Sequence, residues 1–290
     1  MTVKHIVISG AAYNGIDLVG IITELFDKEY FKRDDIKSVY RSSAGAIVLA
    51  IWMLSIEKDV LFDFIIRKPW NKIYSFKAEM FLELFNNKGM LDDKLIHEIM
   101  IPLLKSKDLS PDITLFDFYK HTDIKFTIYT THFNTWKGKS LTSDSHPDLK
   151  LIDALYMSSA MPVIFKPIIM DGEIYVDGAV TKHYPIKSAL DDGCKKHEIL
   201  GIKICRPDEH SVCESTNFVQ YIGSMMNNMI GAISALEDID IPHCIRHSAP
   251  RMGSEIEAVL SDPNKRKELL ERGAKTVTEY LKSSVEELSN

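Results

Sequence analysis

Ser43 is the residue of this chain best placed to act as a nucleophile. It stands in the segment 41–45, Arg-Ser-Ser-Ala-Gly, between a short run of strand composition and the apolar residues 46–54. A serine at a sharp strand-to-helix turn projects its hydroxyl, and the N–H groups after it lie at a helix N-terminus, where negative charge is stabilised. The pattern G-x-S-x-G is met only at its second glycine, because Arg41 occupies the position of the first. Taken alone, these five residues are more typical of a serine-rich helix cap.

The loop 9–15, Ser-Gly-Ala-Ala-Tyr-Asn-Gly, is a second candidate for chemistry. Small residues after a buried strand let the backbone approach a ligand closely, and the helix that follows points its N–H groups there. The N–H groups of Gly10, Ala11 and Ala12 could therefore bind an oxyanion or a phosphate. The nucleotide alternative lacks support, because neither G-x-G-x-x-G nor the Gly-Lys-Ser/Thr of a P-loop is present. A purely structural strand-to-helix connection fits the loop equally well.

Asp177 is the candidate general base. It stands in the segment 175–179, Tyr-Val-Asp-Gly-Ala, at the end of a predicted strand. The segment 157–167, Met-Ser-Ser-Ala-Met-Pro-Val-Ile-Phe-Lys-Pro, lies shortly before it. A carboxylate at a strand end can take a proton from a hydroxyl that it meets across a site. Asp-Gly is also a common turn, and taken alone the turn is the better interpretation.

The elements that must position these residues alternate between strand and helix. Residues 5–9 predict a strand buried on both faces, residues 16–26 have the apolar spacing of an amphipathic helix, and residues 36–40 predict a second strand. Further strands are predicted over 124–133, 173–176 and 199–204, with a turn at 136–139, and further helices over 46–54, 151–160 and 218–236 and from Asp262-Pro263 onward. This order favours an α/β fold with a parallel sheet.

No linker rich in proline or serine interrupts the chain, so residues 1–290 are predicted to form one domain. The chemical motifs fall within residues 3–190, and residues 206–290 are predicted to be its helical C-terminal part. The last helix is expected to pack through Leu270, Val277 and Leu281. In the helix before it, core packing is favoured over a lipid-contacting surface for the methionines Met225, Met226 and Met229.

The composition is that of an ordinary globular domain, with 45% hydrophobic and 26% charged residues. The formal net charge of −6 argues against nucleic acid as a partner and against a purely electrostatic anchor on anionic lipid. Any peripheral membrane contact would therefore come from a local apolar surface. No stretch has the length of a signal-peptide core or of a membrane span, and the four cysteines form no C-x-x-C pair. Free thiols of this kind favour a cytoplasmic location.

Together and in this order, the three motifs resemble the patatin-like phospholipase family, whose members are lipid acyl hydrolases with a Ser-Asp dyad. The oxyanion loop of the family is similar to residues 10–15, and its nucleophile elbow is similar to residues 42–46. Its Ala-Ser-x-Ala-x-Pro block resembles residues 157–167, and its Asp-Gly-Gly/Ala motif resembles residues 177–179. The final Asn-x-Pro of the family pattern corresponds to residues 183–185, His-Tyr-Pro.

The resemblance implies a three-layer α/β/α fold with a mainly parallel central sheet. It also implies hydrolysis of carboxylic esters in a lipid or phospholipid substrate, without a metal or any other cofactor. Ser43 would attack the ester carbonyl and Asp177 would take its proton, provided that burial raises the pKa of this carboxyl toward the working pH. The oxyanion hole would be formed by the N–H groups of Gly10, Ala11 and Ala12.

Several positions depart from the family pattern and bear on substrate binding. Alanines stand at positions 11 and 12 where the family has glycine, and Asn14 stands where it usually has arginine. Arg41 replaces the first glycine of the elbow. We favour a guanidinium that reaches over the site and binds an anionic head group, and the alternative is a side chain that only crowds the turn. Asn14 and His183 are expected to contact the substrate as well.

Two other functions remain open at this point. The departures at Arg41 and in the loop are compatible with a catalytically inactive lipid-binding or interaction module. An α/β-hydrolase with a Ser-Asp-His triad is the second alternative, although its serine elbow follows several strands, whereas Ser43 follows the second predicted strand. Its base would be one of the histidines His183, His197, His210, His243 and His247.

Overall fold

The computed structural model describes residues 2–73, 84–205, 213, 216, 218–236, 238–250 and 256–289. The strands within these ranges are β1 (His5–Ile8), β2 (Ser38–Ser42), β3 (Gly89–Leu91), β4 (Lys125–His132), β5 (Lys137–Leu141), β6 (Val163–Phe165), β7 (Ile168–Met170), β8 (Glu173–Asp177), β9 (Ile199–Cys205) and β10 (His243–Ser248). The helices are α1 (Gly15–Asp27), α2 (Ala44–Met53), α3 (Lys58–Arg67), α4 (Lys94–Lys105), α5 (Leu115–Thr122), α6 (Leu151–Ser159), α7 (Ile186–Asp191), α8 (Phe218–Leu236), α9 (Ile256–Ser261) and α10 (Pro263–Ser289).

Eight of these strands form one sheet in the order β10-β9-β1-β2-β4-β8-β7, with β5 also paired to β4. The pairs from β10 to β4 are parallel, whereas β5 and β8 run antiparallel to β4, and β7 runs antiparallel to β8. The strands β3 and β6 form a separate parallel pair. The predicted α/β fold with a mainly parallel central sheet is confirmed.

The central strands are apolar on both faces because helices cover both sides of the sheet. Side chains alternate along β1, so that Ile6 and Ile8 join a large core cluster with α1, α2, α4 and α10, whereas Val7 joins a smaller cluster with α7. The same alternation along β2 sends Val39 into the large cluster and Tyr40 into the smaller one. The result is three layers, with the sheet between two layers of helices.

The C-terminal helix α10 closes against the first helix of the chain. As predicted, it packs into the large core cluster through Leu270, Val277 and Leu281. The Arg272 guanidinium of α10 donates hydrogen bonds to both carboxylate oxygens of Asp17 on α1, at 2.7 and 2.9 Å, and Asp17 is fully buried. Nε2 of His247 on β10 lies 3.3 Å from the same carboxylate. Three elements that are distant in sequence therefore meet at Asp17.

Two predictions for the C-terminal part are wrong. Residues 206–290 are not entirely helical, because His243–Ser248 forms β10 at the edge of the sheet. The strand spans only six residues, four of which are polar, and this composition hides its pattern. Helix α8 has its predicted extent, but Met225 and Met229 are exposed rather than packed in the core. Helical spacing identifies a face, and it does not show whether that face turns inward.

The hairpin between β4 and β5 also differs from the prediction. The predicted turn at 136–139 is shorter, because β5 begins at Lys137 and pairs with β4 as far as Ile128. Lysine and glycine conceal the strand, whose first four residues are exposed to solvent. Within the described ranges, every helix is too short or too polar to span a bilayer.

Candidate active site

Ser43 stands alone in the turn between the end of β2 and the start of α2. Its backbone has φ 53° and ψ −139°, a conformation that non-glycine residues seldom adopt and that is typical of strained functional turns. A Cβ atom at Gly45 would lie 2.6 Å from the carbonyl oxygen of Ser9, so only glycine lets α2 pack this closely on the end of β1. The predicted sharp strand-to-helix turn with Ser43 at its tip is confirmed.

A second serine holds the backbone of this turn. The N–H of Ser43 donates to Oγ of Ser158 at 2.9 Å, and it also lies 3.1 Å from the carbonyl oxygen of Ser158. The Ser158 hydroxyl in turn donates to the carbonyl oxygen of Tyr129 on β4, at 2.6 Å. Helix α6 is thus tied to both the elbow and the sheet through one side chain. The sequence pattern contains Ser158 but does not reveal this role, because its partners lie far along the chain.

The Ser43 hydroxyl donates a hydrogen bond to Oδ2 of Asp177 at 2.7 Å. Oδ1 of the same carboxylate accepts a hydrogen bond from the N–H of Ala179, also at 2.7 Å. Both side chains are buried. The carboxylate is therefore oriented by a backbone donor on one oxygen, and its other oxygen faces the serine.

Burial raises the pKa of Asp177 from its usual 3.8 to about 7, although the hydrogen bonds from Ser43 and Ala179 act in the opposite direction. A carboxylate with a pKa near neutrality can both accept and return a proton at physiological pH. The pKa of Asp177 is thus raised in the direction that a general base at this position would need.

Strand β4 sets the distance between the two residues. Ser42, the last residue of β2, pairs with Tyr129, and Asp177, the last residue of β8, pairs with Thr130. A Cβ atom at Gly178 would collide with the carbonyl oxygen of Tyr129, so a side chain there would push the loop after Asp177 away from β4. The Asp-Gly motif is therefore a close-approach position as well as a turn.

The small-residue loop is held by the backbone of residue 183. The N–H of Gly10 donates to the carbonyl oxygen of His183 at 3.0 Å, and the Ser42 hydroxyl donates to the same oxygen at 3.2 Å. Contrary to the prediction that Gly10 contributes to the oxyanion hole, its N–H is already engaged by this carbonyl oxygen. Ala12 lines the cavity beside Ser43 and has φ 50°, whereas Ala11 is fully buried behind it.

A cavity of about 250 Å³ opens against Ser43 and Asp177. Its wall is almost entirely apolar and comes from several helices, with side chains that include Ile16, Val19, Ile47, Ile51, Ile96 and Ile99. Such a lining accepts a hydrocarbon chain and excludes water from the serine. Tyr13 and Ser159 also border the space, close to the dyad.

Arg266 borders the same cavity and was not singled out by its sequence. Its guanidinium is buried and donates to the carbonyl oxygens of Ile66, Val259 and Leu260, at 2.5 to 3.1 Å. These carbonyls belong to the C-terminal ends of α3 and α9, where a cation is favourable. The side chain ties together two helices of the cavity wall across about 200 residues of sequence, which no local pattern announces.

The prediction that Arg41 binds a head group is wrong. Its side chain is fully buried, and its guanidinium lies over the Phe126 ring, with Cζ 3.0 Å from the ring centroid. Nη1 donates to the carbonyl oxygen of Val39 at 2.7 Å. Burial lowers the pKa of this guanidinium well below its usual value. The side chain packs inside the protein on the sheet and does not border the cavity.

Asn14 and His183 also serve the protein rather than the cavity. Asn14 is buried, donates from Nδ2 to the carbonyl oxygen of Pro250 at 3.1 Å and accepts from Arg272 at 3.4 Å. His183 is buried with its ring packed against Gly10, 3.1 Å from where a Cβ would stand. The expectation that both contact the substrate is wrong for this reason.

Two histidines of the triad alternative have hydrogen-bond partners outside the dyad. His243 hydrogen-bonds with Tyr30, and His247 hydrogen-bonds with Thr276. His197 precedes β9 and therefore lies at the start of the parallel strands, whereas Ser43 follows their end. His210 lies outside the described residues. In the described part of the chain, no group of three or more His, Cys, Asp or Glu side chains is arranged to hold a metal ion. Independence from metals stays a prediction.

Comparisons with known proteins identify relatives of this chain by sequence and by fold. A family model described as patatin-like phospholipase matches residues 6–190, more than half of the chain. The uncharacterized protein R571 of Acanthamoeba polyphaga mimivirus is 24% identical over 288 residues, covering 96% of this chain and 94% of the relative. The probable lipid hydrolase 463L of Invertebrate iridescent virus 6 is 24% identical over 201 residues, covering 67% of this chain and 66% of the relative.

Among solved structures, VipD from Legionella pneumophila shares the fold, with a TM-score of 0.55 at 16% identity over 98% of this chain and 67% of that one. The matched residues 6–190 contain the loop, the elbow with Ser43 and the motif with Asp177. The chain therefore belongs to the patatin-like phospholipase family.

Proposed function

We propose that this protein is a lipid acyl hydrolase that cleaves carboxylic esters with Ser43 as nucleophile and Asp177 as general base. The observation that carries the proposal is the 2.7 Å hydrogen bond from the Ser43 hydroxyl to Asp177 at the wall of an apolar cavity. Membership of the patatin-like phospholipase family supports it, as does the similarity to a viral protein named as a probable lipid hydrolase.

The two side chains can carry the whole reaction. Oγ of Ser43 attacks the ester carbonyl carbon while Asp177 takes the hydroxyl proton, and the carbonyl oxygen becomes an oxyanion. Collapse of this intermediate breaks the ester bond, and Asp177 returns the proton to the departing alcohol. Water then attacks the acyl-serine, with Asp177 accepting the proton of the water and returning it to Ser43.

The oxyanion is proposed to form beside the loop, at the N–H groups of Ala11 and Ala12. The loop follows a buried strand, and Ala12 borders the cavity next to the serine. A preorganised backbone donor contributes about 3–4 kcal/mol to transition-state stabilisation. Because the Gly10 donor is engaged with His183, the hole relies on fewer donors of this loop than its sequence predicts.

The substrate class follows from the cavity wall. Isoleucine and other apolar side chains surround the space, and removing an acyl chain from water into it is favourable by roughly 25 cal/mol per Å² of buried apolar surface. The cation that borders it, Arg266, is engaged with backbone carbonyls. We therefore assign the cavity to the acyl chain of the ester and not to its head group.

The test is labelling by a fluorophosphonate probe together with hydrolysis of a short-chain ester. The unchanged protein should be labelled at Ser43 and should turn over the ester, whereas Ser43→Ala should keep its fold and lose both. Ser140→Ala, at an exposed serine on β5, is the matched control and should keep both. An Ser43→Ala variant with undiminished turnover would overturn the proposal, and an unlabelled, inactive protein would favour the inactive module.

A further inference from the structure

The tip of the β4–β5 hairpin exposes two aromatic side chains. Phe133 is 45% exposed and Trp136 is 47% exposed, and their rings meet edge to face with centroids 5.7 Å apart. The other two tryptophans of the chain, Trp52 and Trp70, are buried. Trp136 is thus the one tryptophan that presents its ring to solvent.

The backbone at this tip is held in an unfavourable conformation. Trp136 has φ 52°, in the left-handed region where hairpin turns normally place glycine or asparagine. Its N–H donates to the carbonyl oxygen of Phe133 at 3.3 Å and closes the turn. A bulky aromatic residue at such a position disfavours folding, so its presence points to a role outside the fold.

A second hairpin extends the apolar surface. Ile169 on β7 is 66% exposed and pairs with Ile174 on β8. The N–H of Phe133 donates to the carbonyl oxygen of Ile174 at 2.8 Å, so Phe133, Ile174 and Ile169 follow one another across three neighbouring chain segments. We call the exposed residues Phe133, Trp136 and Ile169 the hairpin surface.

The hairpin surface lies beyond the catalytic edge, by which we mean the ends of the parallel strands where Ser43 and Asp177 lie. The parallel strands β2 and β4 end at this edge, where Ser42 pairs with Tyr129. Thr130, the next residue of β4, pairs with Asp177, and the hairpin tip begins three residues further along. An object that covers the hairpin surface is therefore held close to the catalytic edge.

The charges beside the hairpin surface are exposed lysines on β5 and the exposed carboxylate of Asp171 in the turn after β7. Lys137 directly follows Trp136, and Lys139 lies two residues further along β5, where both are exposed. The nearby carboxylate of Glu173 is engaged by His132, at 2.7 Å, and by Asn134, at 3.1 Å. An exposed tryptophan followed along the chain by lysines is a combination found at membrane–water interfaces, where the ring enters the acyl region and the ammonium groups reach the phosphates.

We propose that the hairpin surface inserts into the surface of a phospholipid bilayer and holds the catalytic edge against it. This inference rests on the proposed function, because a lipid hydrolase must take its substrate from such a surface. The net charge of −6 argues against an anchor by charge alone, so the three apolar side chains supply most of the binding and the lysines set the orientation.

The experiment uses Ser43→Ala protein, which cannot consume the lipid, and vesicles of phosphatidylcholine with phosphatidylserine. The protein should sediment with the vesicles, and tryptophan emission should shift to shorter wavelength as Trp136 leaves water. Adding Phe133→Ser and Trp136→Ser should weaken sedimentation by at least about tenfold, because two large apolar side chains no longer insert. Phe26→Ser is the matched control, since Phe26 is 44% exposed but lies in the last turn of α1, which runs away from the dyad.

The result that overturns the inference is sedimentation that survives the double substitution, or emission that stays unchanged while the protein sediments. The same two substitutions, made in the protein that retains Ser43, should spare hydrolysis of a water-soluble short-chain ester while lowering hydrolysis of vesicle lipid. If the protein without these substitutions fails to hydrolyse the soluble ester, that result contradicts the proposed function and not the membrane inference. The two failures are therefore distinguishable.

Discussion

The backbone N–H of Ser43 is bound by the hydroxyl of Ser158, 2.9 Å away, across 115 residues of sequence. A strained residue keeps its conformation only where its surroundings hold it, and here a side chain of α6 does so. The proposed nucleophile is thus positioned by a second serine that lies outside the proposed dyad.

Ser158→Ala should lower kcat by about tenfold or more while leaving KM nearly unchanged, because the elbow loses a restraint and the acyl cavity does not. The free energy of unfolding should fall by about 1–3 kcal/mol, since a buried carbonyl and N–H lose a partner. Ser234→Ala is the matched control, because the buried Ser234 hydroxyl has no hydrogen-bond partner among the described residues and does not border the cavity. Steady-state kinetics and urea unfolding measure both effects, and equal losses in the two variants would contradict this assignment.

The pH profile of hydrolysis should report the ionisation of Asp177. The base acts only when ionised, and burial raises its pKa to about 7. The value of kcat/KM should therefore rise with pH, with a midpoint near 7, and level off above it. Rates on a soluble ester between pH 5 and 9 provide the measurement. A profile that is flat across this range would assign the proton to another group.

Asp177→Asn should abolish most turnover and change how stability depends on pH. The folded-state pKa lies above the unfolded value of 3.8, so the carboxyl favours folding fully at low pH and loses this contribution as the pH rises through about 7. This pKa shift corresponds to roughly 4 kcal/mol of the free energy of unfolding, a contribution that the carboxyl no longer makes above neutral pH. The stability of the variant relative to that of the unchanged protein should therefore increase as the pH rises from 4 to 8. Urea unfolding at both pH values tests this, and a constant difference would contradict it.

Arg41→Met should leave the KM for anionic and for zwitterionic phospholipids equally unaffected. The guanidinium is buried over Phe126 and does not border the cavity, and its Nε and Nη2 have no partner among the described residues. Replacing such a cation by an apolar side chain of similar length should leave stability unchanged or raise it by about 1–4 kcal/mol.

The same substitution at Arg272 is the control for Arg41→Met. It leaves the buried carboxylate of Asp17 without its cation and should destabilise the protein by about 3–5 kcal/mol. A selective rise in KM for anionic phospholipid in Arg41→Met would instead show that the guanidinium reaches the substrate.

The features that sequence predicted are those encoded locally. The elbow, the loop and the Asp-Gly turn each depend on residues within a few positions, so their motifs are visible in the chain. The roles of Ser158 and Arg266 depend on partners 115 and about 200 residues away, and no local pattern carries them. The position of Arg41 was visible but its direction was not, because strand alternation shows two faces without showing which one borders the cavity.

The contact of Arg272 with Asp17 has a consequence for proteolytic sensitivity. Asn14 accepts a hydrogen bond from the same guanidinium and immediately precedes α1, two residues after Ala12. A nick or truncation that removed Arg272 would strip the cation from a buried carboxylate and loosen the start of α1 at once. Protease susceptibility at the C-terminal helix and loss of esterase turnover should then appear together, although more than 200 residues separate that helix from the serine.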